Sequence, residues 1–294
     1  MLSSRTQLQG LDMGTFRHFK KYKHQLVSAL QFYYGAKTMY NIHSPFLFKF
    51  IPTLFDYSAA AQEHFNSIIS LTDKLIIDKE EFVHTDFGEG SRSIKRNSKK
   101  RVKNILKTSS SNSKKGKFLY KTIQYFKPAD TLELGTNLGI GSAYMALAFR
   151  DNKIISVEGD KFLGEKSRQN FESLKIKNVE VIIEQFDNFL FDQNTDKKFD
   201  LTFIDGNHGY EATVRYFNKL YDPQIENQVI IIDDIYWSEG MTEAWKHIQL
   251  KLVSGYCLDL FNIGIIVNSK AKADVVKLKY IRRRWKPFSF GFWG

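Results

Sequence analysis

The sequence predicts an α/β fold: a doubly wound, seven-stranded sheet with an antiparallel last strand, preceded by a helical N-terminal extension. Three observations carry that expectation. From residue 117 to about 268, short β-branched runs alternate with stretches of helical length, the texture of a parallel sheet covered on both faces. The last two runs lie only a few residues apart, which permits a hairpin and no crossover. A glycine-containing turn, "TLELGTNLGIGSAYMAL" at 131–147, joins the first run to the first helix, where open α/β sheets hold phosphates or nucleosides.

The extension, residues 1–116, reads as helical. "FRHFKKYKHQLVSALQFYYGAK" places Phe16, Phe19, Leu26, Leu30 and Tyr33 broadly on one face. In "NIHSPFLFKFIPTLFDY", Ser44 is the expected N-cap, with Pro45 at the first helical position. "AAAQEHFNSIISLTDKLI" continues in helix. Two glycines in "DFGEGSR" then break the pattern, and "DFGEGSRSIKRNSKK" is expected as a mobile flap beside the ligand crevice. "SSSNSKKG" reads as a loop tip.

The core, residues 117–268, supplies the strands "DTLELG", "KIISVEGD", "VEVII", "FDLTFID", "QVIIIDD", "YCLDLF" and "GIIVN". Helices are expected at 140–150, 161–173, 187–191, 211–221 and 239–252. Residues 269–294, ending "KLKYIRRRWKPFSFGFWG", read as a basic-aromatic tail whose rings pack back on the sheet or the N-terminal helices.

A hydrophobic content of 43%, with 25 Phe among 294 residues, is ample for a core. The single cysteine, Cys257, excludes an internal disulfide and a cysteine-based zinc cluster. No secretory h-region opens the chain and no apolar run approaches the ~18 residues of a membrane span, so a cytoplasmic protein is expected. The net charge of +11 is concentrated. Residues 92–117 hold 11 Lys and Arg and no acid, leaving 32 basic against 32 acidic residues elsewhere. Such a run reads as a solvated face or mobile loop, or as a grip on phosphates.

Gly135, Gly139 and Gly141 read G-x-x-x-G-x-G. The dinucleotide fingerprint and the P-loop are both unmet. On Glu133-Leu134-Gly135-Thr136-Asn137-Leu138-Gly139, the chain from Phe118 to Asn268 resembles the class I S-adenosylmethionine (SAM) dependent methyltransferases, whose fold is Rossmann-like. The resemblance implies SAM as cofactor, with Glu133, Gly135, Thr136, Asn137 and Gly139 in its loop. Glu158, 23 residues after Gly135 at the end of the second strand, is then placed to accept both ribose hydroxyls. Glu184 and Gln185 stand where the family has Gly then Asp or Asn, which puts Gln185 at the adenine edge.

Asp205 ends the fourth strand and Asp233 and Asp234 the fifth, at the carboxyl ends that open into the crevice. Three converging carboxylates repel unless a cation or protons compensate, and without a metal they should raise a pKa or draw in lysines. This part resembles the metal-assisted small-molecule O-methyltransferases of the catechol and caffeoyl-CoA types. The Asp-Asp pair, in place of Asp-Asn, is also similar to cephalosporin-hydroxylase-like relatives. The resemblance implies Mg²⁺ or another divalent cation on Asp205, Asp233 and Asp234; the rival reading has Asp205 contacting SAM or acceptor, Asp233 ending the strand and Asp234 capping a turn. Where those enzymes carry a general-base lysine, this chain has His208, and an imidazole exchanges protons near neutrality. "KKGKFL" resembles the entry of the helix that covers SAM, with Gly116 and Lys117 at the rim.

The expected activity is methyl transfer to a hydroxyl of a small-molecule or glycan-like acceptor, with Asp205 and His208 catalytic. Two alternatives stand beside it: an RNA ribose methyltransferase, and a non-catalytic SAM-fold adaptor on nucleic acid or anionic membrane. The chain lacks a [DN]-P-P-[YF] motif, and Cys257 lies in a strand remote from the crevice, which disfavours base methylation.

Overall fold

The structure, a computed structural model, describes residues 20–56, 58–86, 96–108, 113–192, 197–272 and 274–286. Helix α1 (residues 20–35) leads to α2 (Pro45–Thr53) and α3 (Ala59–Ile77). Ser44 caps α2 as expected, its hydroxyl accepting from the Leu47 amide at 3.3 Å, with Pro45 following. Strands β1 (Glu81–Asp86) and β2 (Arg96–Arg101) pair antiparallel, and α4 (Val102–Thr108) follows at once. The expected flap therefore divides. Residues 87–95 lie outside the described residues, and 96–101 form a strand.

Helix α5 (Ser113–Phe126) enters the main sheet at β3 (Asp130–Leu134). Of the loop tip expected at 109–116, residues 109–112 lie outside the described residues and 113–116 are helical. The winding continues through α6 (Ile140–Ala148), β4 (Lys153–Glu158), α7 (Lys161–Ser173), β5 (Val179–Ile183) and a π-helical turn at Asn188–Asp192. Then come β6 (Leu201–Ile204), α8 (Tyr210–Leu220), β7 (Val229–Asp233), α9 (Glu239–Lys251), β8 (Gly255–Asp259), β9 (Ile263–Val267) and β10 (Val275–Lys279).

The strands order β10-β8-β9-β7-β6-β3-β4-β5, with β9 antiparallel to both neighbours. All seven expected strands are present. The eighth, β10, comes from the stretch expected as a tail and runs parallel to β8. Its alternation, with Val276 and Leu278 packed inward, is overlaid in sequence by Lys277 between them and Lys279 after them. Residues 287–294 lie outside the described residues.

Period-two burial explains the layers. On β7, Ile230 and Ile232 join α8 and α9 in one cluster, while Val229 and Ile231 join α2, α5 and α6 in the other. The extension docks through α3, whose Phe65 and Ile68 meet Tyr144 of α6 and Tyr120 of α5. In α1 the expected shared face is real but turned outward. Leu26, Leu30 and Tyr33 are exposed, whereas Ser28, Phe32 and Ala36 are buried. Phe16 and Phe19 lie outside the described residues.

Candidate active site

The loop after β3 sits over the ends of β4 and β6. Gly135 has φ +110°, and a Cβ there would lie 2.2 Å from the Asp205 carbonyl oxygen. Only glycine lets the loop pass the β6 end this closely. Asn137 takes the left-handed conformation at φ 51°, donates its amide to Glu158 Oε2 at 2.7 Å, and lines the cavity. Glu158 also accepts from the Asp160 amide at 2.9 Å, and burial raises its pKa.

Glu133 and Thr136 turn inward. Glu133 is 1% exposed and accepts from the hydroxyls of Ser142 and Ser156, and Thr136 Oγ1 meets Ser156 Oγ at 2.6 Å. Burial pushes the Glu133 carboxyl up to about 8. The two side chains tie the loop to α6 and β4 from below. Gly139, at φ +75°, opens α6, and a Cβ there would press on Phe171. Gln185 is exposed beyond β5.

Asp205, Asp233 and Asp234 do converge, and a lysine joins them. Lys115, in the first turn of α5, places Nζ 3.0 Å from Asp205 Oδ2 and bonds Asp233 Oδ2 as well. Burial works against its charge, but the two carboxylates outweigh that and raise its pKa. Asp233 is 1% exposed. Asp234, in left-handed backbone at φ 55°, is partly open, and burial raises its pKa. His208 Nε2 stands 3.9 Å from both Asp205 Oδ1 and Asp234 Oδ2.

Lys115 is the member of this cluster that sequence reading missed. "KKGKFL" pointed to the right helix, but helical phase selects its second lysine. Gly116 instead packs under the Tyr144 ring, where a Cβ would lie 2.1 Å from a ring carbon. Lys117 sits over the Phe65 ring.

The three aspartates were expected to hold a divalent ion. Among the described residues, no group of three His, Cys, Asp or Glu is arranged to hold a metal. The Lys115 ammonium already spans Asp205 and Asp233, the position in which such an ion would sit. As arranged, these residues do not fit the ion.

Above this floor lies a cavity of about 970 Å³. Phe32 and Tyr33 of α1, Phe55, Trp237 and Tyr280 contribute its apolar walls, and Asn137, Asp205 and His208 its polar end. Such a volume suits a small molecule held mainly by apolar walls and oriented by few polar groups.

The family described as a methyltransferase domain matches residues 132–235, which span β3 to just beyond β7 and include the loop, Glu158, Asp205, His208, Asp233 and Asp234. The chain carries a methyltransferase domain. No curated protein matches it. Among solved structures, an O-methyltransferase from Bacillus cereus in complex with SAH is similar at 15% identity, covering 73% of this chain and 93% of that one, with a TM-score of 0.49. An O-methyltransferase from Streptomyces achromogenes in complex with SAM is 13% identical over 73% of this chain and 92% of its own, with a TM-score of 0.48. A Podospora anserina methyltransferase bound to SAH is 17% identical over 73% and 89%, also at 0.48. At these values the likeness decides neither cofactor nor acceptor of this methyltransferase domain.

Proposed function

We propose that the chain is a SAM-dependent O-methyltransferase acting on a hydroxyl of a small-molecule or glycan-like acceptor. The observation that carries this reading is the cluster of Lys115, Asp205, Asp233 and His208 at one end of a largely apolar cavity, beside the Asn137 loop. That arrangement can take a proton from a hydroxyl and keep a methyl acceptor away from water.

The residues suit SAM. Each Glu158 oxygen accepts one backbone amide and keeps a lone pair for a ribose hydroxyl. Gly135, Thr136, Asn137 and Gly139 supply the loop, Gln185 the adenine edge, and Asp205 the methyl end. Glu133 acts from beneath, through Ser142 and Ser156. When bound, SAM supplies an electrophilic methyl group.

This chain's own side chains do the rest. His208 Nε2, 3.9 Å from carboxylate oxygens of Asp205 and Asp234, receives the acceptor's proton. Lys115 balances Asp205 and Asp233 and fixes Asp205 in place. The aromatic walls orient the acceptor. A divalent ion, the other cation expected here, would require Lys115 to leave its two carboxylates.

The test is an acceptor screen with methyl-labelled SAM, run with and without a chelator. Label transfer to hydroxyl-bearing small molecules that persists under chelation supports the reading with Lys115 as the cation. Transfer only with added Mg²⁺ would restore the metal-assisted reading. Transfer to RNA ribose, with a steep loss of RNA affinity in salt, would replace it.

A further inference from the structure

We infer that α1 and the segment after β10 form a docking face for an anionic lipid bilayer. The first observation is the outer side of α1. Tyr22, Leu26, Leu30 and Tyr34 recur at four-residue spacing and are all exposed, Leu26 at 64% and Tyr34 at 78%. The opposite side is committed to the domain, through the His24–Thr242 and Gln25–Trp237 hydrogen bonds and buried Phe32. The helix therefore has an inner face packed on protein and an outer apolar stripe that no described residue covers.

Charge identifies the occupant. Residues 20–55 and 275–286 contain 11 Lys and Arg and no Asp or Glu. The fold joins these segments: the Lys37 amide donates to the Lys279 carbonyl at 2.8 Å, and the Ile281 amide to the Lys37 carbonyl at 3.0 Å. Lys286 Nζ caps the end of α1, 2.8 Å from the carbonyls of Tyr33 and Ala36. Arg283 bonds the Tyr40 hydroxyl, and Trp285 beside it is 62% exposed. Lysines flanking an apolar helical stripe, with Trp and Tyr at its end, are the composition that seats a helix in a bilayer interface. A second copy would bring together two sets of these segments, each with 11 cations and no acid, which like charge opposes. Single-stranded RNA would use the cations and rings but leaves Leu26, Val27 and Leu30 without a role. No helix among the described residues is long and apolar enough to cross a membrane, so contact would be peripheral.

Co-sedimentation with vesicles tests this without SAM or acceptor, so its outcome is independent of the catalytic reading. The full chain should pellet with phosphatidylcholine vesicles containing phosphatidylglycerol, hardly with pure phosphatidylcholine, and should be released by salt. The pairs Leu26→Glu with Leu30→Glu, and Arg283→Glu with Arg284→Glu, should each lower the partition coefficient by about tenfold or more. Unchanged thermal melts would show that both variants fold; the second pair touches no buried side chain and covers a failure of the first. Absence of pelleting, or equal pelleting with neutral vesicles, overturns the inference. Self-association or RNA retention without vesicle binding does so too, in favour of those occupants.

Discussion

The roles proposed for Glu158 and Lys115 rest on different physics, and each is separable by substitution. Glu158→Ala should weaken SAM binding by about 1–3 kcal/mol in calorimetry, because charge-assisted hydrogen bonds to two hydroxyls are lost. Unchanged affinity would remove Glu158 from the ribose. Lys115→Met should abolish methyl transfer and leave Asp205 and Asp233 without their bridging cation. The variant should therefore gain Mn²⁺ binding, visible by electron paramagnetic resonance, whereas the unaltered protein should bind none stoichiometrically. Stoichiometric Mn²⁺ on the unaltered protein would return the site to the metal. Glu133 gives a pH signature. Its carboxyl is raised from 4.5 to about 8, so between those values the folded chain holds a proton that the unfolded chain has released. Stability should accordingly fall as pH rises through that window, and Glu133→Gln should flatten the dependence of melting temperature on pH. Asp205, His208, Asp233 and Asp234 were legible because strand ends in a parallel sheet meet in one crevice. Lys115 was not, since its role depends on where a turn ends and a helix begins.

At the scale of elements, the β1–β2 hairpin is tied to α7 by a small set of contacts. Phe82 stacks on Phe162 with ring centres 4.0 Å apart, and Asp160 accepts from the Thr85 amide at 2.8 Å and contacts His84 Nδ1 at 3.0 Å. The same Asp160 caps α7 through the Leu163 amide. Asp160→Ala should cost about 1 kcal/mol or more through the lost cap. It should also release the hairpin, which hydrogen exchange would show as faster exchange of the Thr85 amide. Equal exchange in the variant would mean that the aromatic stack alone holds β1. The sequence concealed this hairpin because "RNSKKR" has no apolar residue to alternate, and β2 owes its conformation to backbone pairing with β1. The opposite error attends α1, where the helical period was readable but the choice of buried face was not. Periodicity groups residues by side; which side meets the protein is decided by the partner surface.

Across the whole molecule, β10 links the methyltransferase domain to the N-terminal extension. It pairs with β8 over Val275–Lys279, and its end bonds residue 37, just after α1. The seven strands before it were legible from β-branched runs, whereas β10 was hidden among the cations that make its neighbourhood basic. Deleting residues 270–294 should do two separable things. It uncovers the β8 edge, a row of unpaired backbone groups flanked by Tyr256 and Leu258, which should promote edge-to-edge aggregation. It also removes the Lys279 carbonyl and the Lys286 ammonium that hold Lys37 and the end of α1, so α1 should loosen. A lower melting temperature with aggregation, together with faster exchange confined to the β8 edge and α1, is the expected result. Cys257 lies on β8 facing the α9 side of the sheet and is buried, so it provides a second reading. Thiol labelling under native conditions should be slow in the full chain and faster after truncation. Loss of β10 that left exchange in α1 unchanged would show that the α1 contacts with Thr242 and Trp237 are sufficient, and that the eighth strand closes the sheet without anchoring the extension.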